Sequence, residues 1–285
     1  MADLHCRSAF ISDVHLGTPD CKAGYLLDFL RKLRCEKLYL VGDIIDMEAL
    51  ARRPWWHPDH SAVLAEIVAM AERGVEVRYI PGNHDACLRG MAGQIVKGVM
   101  IRLDAIHEGA DGRRYHVSHG DEFDPERIGR GWMMHLGEAM HRFICWSNRR
   151  LYGVRRRLEL PYVPLSIIIK SHIGKALAYI RAYEERVASD AAERGFDGHI
   201  CGHIHFGQVR AIHGVLYLND GDWVEHCTAL TEDHTGAMEL IHWSEQPTAL
   251  GRTSRELLLP SATAALALAP LGARRRTLAA LRPAA

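Results

Sequence analysis

Short apolar runs alternate with longer amphipathic ones over the first 120 residues. "SAFIS" (8–12), "KLYLVGD" (37–43), "VEVRYIPGNHD" (75–85) and "RRYHVSHGD" (113–121) predict strands. "AGYLLDFLRKL" (23–33) and "SAVLAEIVAMAERG" (61–74) carry apolar residues at helical spacing, the second ending at Gly74. Strand–helix alternation predicts an α/β sandwich. Each predicted strand ends in a polar cluster: Asp13 and His15, Asp43, Asn83 to Asp85, His119 to Asp121. Open α/β sheets place their sites at strand C-termini.

From about residue 130 to 194 the pattern becomes helical. Trp132, Met133, Leu136, Met140, Phe143 and Ile144 share one helical face, and "LSIIIKSHIGKALAYIRAYEERVASDAAERG" (165–195) predicts a second helix. Strands then return in "GHICGHIHFG", "QVRAI", "VLYLND", "TALTED" and "AMELIHW". The expected layout is a core of 1–129 and 195–247, a helical cap inserted at 130–194, and an Ala/Leu/Arg-rich tail at 248–285.

Composition is that of an ordinary globular chain: 285 residues, 48% hydrophobic and 25% charged. No run approaches the roughly 18 apolar residues of a membrane span. The N-terminus lacks a basic start followed by an apolar stretch, so no secretory signal is expected. Seven scattered cysteines without a CxxC argue against a disulfide framework and fit a reducing cytoplasm. Net charge is zero but uneven: +7 over 130–186 and +5 over 250–285, leaving −12 for the rest. An acidic body attracts divalent cations, and the basic parts attract phosphates or an anionic membrane surface.

The chemistry lies in "DVH" (Asp13, His15), "GD" (Asp43), "GNHD" (Asn83, His84, Asp85), "SHGD" (His119) and "GHIH" (His203, His205). Alone, any one of them is a polar turn. Together, each after an apolar run, they form a mixed N/O ligand set without thiolate, suited to Mn²⁺, Fe²⁺ or Zn²⁺. Residues i and i+2 of a strand share a side, so Asp13/His15 and His203/His205 each present two groups to one point. Seven ligands are too many for one tetrahedral ion and suit a pair of ions acting on a phosphoryl group. The remaining histidines, His107, His116 and His199 among them, are expected to be surface or packing residues. The arginine runs lack interleaved aromatics, so no nucleic-acid partner is expected.

These motifs, spanning about residues 8 to 245, resemble the calcineurin-like metallophosphoesterases. The resemblance implies two packed sheets flanked by helices, with two divalent ions, Mn²⁺ first among them. Asp13, His15, Asp43 and His205 would hold one ion. Asp43, Asn83, His119 and His203 would hold the other, with Asp43 bridging. His84 would serve catalysis at the phosphate and Asp85 would orient it. The capped arrangement is similar to the UDP-2,3-diacylglucosamine pyrophosphohydrolases of lipid A biosynthesis and their paralogues. That likeness implies release of UMP and 2,3-diacylglucosamine 1-phosphate at the cytoplasmic face of the inner membrane. It also implies substrate contacts from Asp124 and Lys175; Asn83, His84 and His203 beside the ions, and Arg157 and His172 in the basic, apolar insert, complete the expected substrate-contacting set. The best-studied of those hydrolases carry Arg where this chain has His84, which makes the chain more similar to the paralogous branch, acting on another nucleotide, phosphodiester or phospholipid.

Overall fold

The computed structural model describes residues 3–124 and 174–245. Arg157 and His172, most of the expected cap and the tail lie outside them. Two sheets form the centre. The larger has seven strands in the order β14-β13-β2-β4-β5-β7-β6. Its parallel middle is β2 (Ser8–Ile11), β4 (Lys37–Val41), β5 (Glu76–Ile80) and β7 (Val99–Ile101), flanked by β6 (Ile95–Val96), β13 (Thr228–Glu232) and β14 (Met238–His242). The smaller sheet runs β11-β12-β10-β9-β8. Here β9 (Arg114–Val117), β10 (Gly198–Cys201) and β12 (Val215–Asn219) are parallel, and β8 (Ala105–Glu108) and β11 (Gln208–Ile212) are antiparallel edges. A short parallel pair, β1 (Leu4–His5) with β3 (Leu33–Arg34), stands apart.

The sheets face each other across one apolar layer. Phe10, Tyr39, Val41 and Ile80 of the larger sheet meet Ala105, Tyr115, Val117, Ile200 and Leu218 of the smaller. Strands buried on both faces read as unbroken apolar runs, which is why "SAFI" and "LYLV" do not alternate. Outside the larger sheet lie α1 (Ala23–Lys32) and α3 (Pro58–Glu72). Leu26, Phe29 and Leu30 of α1 and Val63, Ile67 and Met70 of α3 fill that layer, each side chain contributing about 1.5–3 kcal/mol. Pro58 starts α3 at a position where its missing N–H costs nothing.

Helix α4 (Gly174–Glu193) covers the outer face of the smaller sheet, where Tyr183, Val187 and Ala188 pack on Cys201, Ile212 and Tyr217. The buried face of α4, which lies within the expected cap span, thus docks on β10 and β12. Lys175 falls in its first turn. The short α2 (Met47–Arg52) and the edges β6 to β8 are elements that patterning alone does not predict. Among the described residues no helix is long and apolar enough to cross a membrane.

Candidate metal centre

Six loops converge where the strands of both sheets end. Asp13 and His15 follow β2, Asp43 follows β4, Asn83 to Asp85 follow β5, His119 follows β9, His203 and His205 follow β10, and Asp222 follows β12. Five of these residues sit in the left-handed region: Asp13 (φ 50°), His15 (53°), Asp43 (54°), His203 (71°) and His205 (50°). Such backbone costs about 1–3 kcal/mol per residue and persists only where contacts over-determine it. Here the loops brace one another. Asp13 N–H donates to the Gly42 carbonyl, and the N–H groups of Val14 and His15 both donate to the Asp43 carbonyl. His203 N–H donates to Asp13 Oδ2 (2.8 Å) and His84 N–H to Asp43 Oδ1 (2.8 Å). Two glycines permit the close approach: a Cβ on Gly42 would stand 2.3 Å from His119 Nδ1, and one on Gly82 2.3 Å from Asp43 Oδ1.

Two clusters share this floor. Ligand atoms of Asp13, His15 and His205 lie within 4.8 Å of one another, and so do those of Asp13, Asp43 and His119. Asp43 Oδ2 stands between them, 3.9 Å from His15 Nε2 and 3.4 Å from His119 Nε2. His119 Nε2 is also 3.2 Å from Asn83 Oδ1, and the His203 ring is 5.2 Å from that of His119. His203 Nε2 lies 3.0 Å from Asp124 Oδ2.

Hydrogen bonds fix the tautomers. His15 Nδ1 faces Asp46 Oδ2 (3.0 Å) and His119 Nδ1 faces the Val41 carbonyl (2.9 Å), both pure acceptors. Each Nδ1 therefore carries a proton, and each Nε2 is left facing the carboxylates, the orientation of metal-ligating histidines. Asp13 Oδ1 and His15 Nε2 are buried and meet no hydrogen-bond geometry, although His205 Nε2 is 3.2 Å from Asp13 Oδ1. Buried orphans of this kind call for a cation. Burial disfavours charge on Asp43 and His119, and their mutual attraction overcomes it: Asp43 is held well below the usual carboxylate range and His119 well above the usual imidazole range. Burial also opposes the His84 charge, but Asp46 and Asp43 push its imidazole up to about 9. His84 is thus protonated at neutral pH, and its side chain is 30% exposed. The donor set fits divalent cations, with carboxylate and imidazole and no thiolate.

Asp85 makes its hydrogen bonds to the backbone and to Tyr79. It is fully buried and accepts from the N–H groups of Gly82 (2.6 Å) and Ile44 (2.9 Å) and from the Tyr79 hydroxyl (2.5 Å), stapling the "GD" loop to the "GNHD" loop. Asp46 contacts His84, with Oδ1 3.2 Å from His84 Nδ1. Asp46 also caps α2 through the Ala49 N–H (2.7 Å). Patterning passes over Asp46, although a third polar position in "GDIID" marks it. It likewise passes over Asp222, whose Oδ2 lies 4.0 Å behind His205 Nδ1 and which "NDGDWVEH" marks by its density of acids.

The calcineurin-like phosphoesterase family model matches residues 6–207, and this span includes every candidate ligand. The chain belongs to that family. It is a metal-dependent phosphoesterase, a hydrolase acting on a phosphorylated small molecule. It is 26% identical over 208 residues to a UDP-2,3-diacylglucosamine hydrolase of Escherichia coli O7:K1, covering 69% of this chain and 80% of that protein. It is 33% identical over 151 residues to the enzyme of that name in Aeromonas salmonicida, covering 52% and 57%. Among solved structures, an archaeal phosphodiesterase aligns over 82% of this chain and 98% of its own, at 15% identity and a TM-score of 0.38.

Proposed function

We propose that this phosphoesterase hydrolyses the pyrophosphate of UDP-2,3-diacylglucosamine, releasing UMP and 2,3-diacylglucosamine 1-phosphate. The observation that carries the chemistry is the Asp43 carboxylate standing between two ligand clusters. The substrate class rests on the shared name of the curated relatives. Asp13, His15, Asp43 and His205 would hold one divalent ion, and Asp43, Asn83, His119 and His203 the other, Mn²⁺ being the preferred metal. Such ions supply Lewis-acid polarisation of the phosphoryl group.

The chain's own residues supply the rest. Protonated His84 donates to a non-bridging phosphoryl oxygen or to the leaving group. Asp46 keeps it charged and aimed. Asn83 and His203 share the substrate face with Asp124. The basic, apolar interval 130–173, with Arg157 and His172, is proposed to cover the acyl chains as a cap, and Lys175 to meet a phosphate. Contact with the cytoplasmic face of an anionic membrane would follow from the same basic segments. His84 favours a second reading, a paralogous phosphoesterase acting on another phosphodiester or phospholipid.

The test is incubation with Mn²⁺ and UDP-2,3-diacylglucosamine, reading UMP. Release of UMP supports the first reading. Its absence, with turnover of an aryl phosphodiester retained, rejects that substrate and leaves the second reading standing.

A further inference from the structure

A second convergence of imidazoles lies on the α4 side of the smaller sheet. His116 on β9 and His199 on β10 are neighbours in the ladder and are both buried. Their Nδ1 atoms face each other at 3.5 Å. Asp190 of α4 offers a carboxylate oxygen within 4.8 Å of one ring nitrogen of each histidine. None of the three belongs to the metal centre described above.

The outer nitrogens decide the tautomers. His116 Nε2 lies 3.2 Å from Asp104 Oδ2. A carboxylate only accepts, so Nε2 carries the proton and His116 Nδ1 is a bare lone pair. Arg194 Nη1, 3.2 Å from that Nδ1, agrees, since guanidinium only donates. His199 Nε2 lies 2.9 Å from Ser118 Oγ, and the Ser118 hydroxyl donates its single proton to Glu122. Ser118 must therefore accept from His199 Nε2, and His199 Nδ1 is also a bare lone pair. Two unprotonated nitrogens thus stand 3.5 Å apart inside the protein, one of them already accepting from the Arg194 cation, and a metal ion could take both.

The geometry suits a metal ion. Two nitrogens each about 2.0–2.1 Å from a tetrahedral zinc lie about 3.3 Å apart. The carboxylate behind His116 and the hydroxyl–carboxylate relay behind His199 are the outer contacts that orient metal-bound imidazoles. Phe196 stacks on the His116 ring and Phe123 meets the His199 ring edge-on, so neither ring is free to turn away. Arg194 now supplies the positive charge, bridging His116 Nδ1 and Asp190 Oδ2 (3.4 Å). Its side chain is 42% exposed and follows the end of α4, so it can leave toward solvent.

We propose that His116, His199 and Asp190 form a second, non-catalytic site for a borderline transition-metal ion such as Zn²⁺, with Arg194 as the cation the ion displaces.

The probe is Zn²⁺ itself, dialysed against the full chain and counted per chain. Wild type should hold one equivalent more than His116→Gln and one more than Asp190→Asn, with turnover on an aryl phosphodiester equal in all three. Asp190→Asn is a substitution on a partly exposed helix position, so it tests the site without disturbing the sheet. Arg194→Met should tighten the extra equivalent about tenfold, the lower end of what altering an outer contact does to metal affinity. Equal zinc content in wild type and both ligand variants overturns the proposal. So does an Arg194→Met chain that loses thermal stability and gains no zinc affinity, for then Arg194 is the permanent occupant.

Discussion

His84 Nδ1 stands 3.2 Å from Asp46 Oδ1, while the other oxygen of the same carboxylate is 3.0 Å from His15 Nδ1. One side chain thus aims both a candidate ligand and the candidate proton donor. Asp46→Asn retains a good helix cap for α2 but can accept from only one imidazole. It is expected to lower kcat about 10–100-fold while the melting temperature holds. The alkaline limb of the rate profile should also move to lower pH, because Asp46 is a main cause of the raised His84 value. An unchanged profile would mean that Asp46 serves only as a cap.

His84 itself is placed outside the ligand set. His84→Asn should reduce kcat about 10²–10⁴-fold, the usual range for a lost acid or base, and leave metal content intact. Loss of one metal equivalent in that variant would make His84 a ligand and reject its role as donor.

The strands and the tips that carry the ligands are legible in the sequence for one physical reason. A buried parallel strand is an unbroken apolar run, and the polar residue that ends it is at the sheet edge where chemistry gathers. Asp13, Asp43 and His119 all follow that rule. Asp85 escapes it, because adjacency to His84 says nothing of its hydrogen bonds to the backbone and to Tyr79. His107, His116 and His199 defeat it differently. Their polar partners are remote: Glu232 lies 125 positions from His107, and His199 lies 83 from His116. Helical periodicity finds α4 but not the surface it covers.

Glu232 anchors the far side of the sandwich and gives the fold an acid limit. It is fully buried on β13. It pairs with Arg7 (2.9 Å), accepts from the Ala110 N–H (2.7 Å), and meets His107 Nε2 (3.0 Å) across the two sheets. Burial alone would raise its carboxyl. The His107 and backbone hydrogen bonds reverse that and hold it at about 2, against an ordinary 4.5. A depressed folded-state value contributes stability that is full above pH 4.5 and lost as pH falls toward 2. At about 1.36 kcal/mol per unit the contribution is about 3 kcal/mol. Urea midpoints should fall through that window in wild type. Glu232→Gln should be less stable at pH 7 and show a shallower fall.

Divalent metal should stabilise the folded chain as well as activate it. Asp13 and Asp43 are buried carboxylates on one floor, with Asp13 Oδ1 and His15 Nε2 left without hydrogen bonds. A cation bound only by the folded form adds about 2.7 kcal/mol at one hundred times its dissociation constant. For a chain of this size that corresponds to roughly 5–10 °C in melting temperature. Mn²⁺ added to chelator-stripped protein should produce a rise of that order together with recovery of hydrolysis. Asp43→Asn removes the charge shared by both clusters, so its rise should be less than half that of wild type. An equal rise in the two proteins would place the stabilising ion elsewhere and remove Asp43 from the bridge.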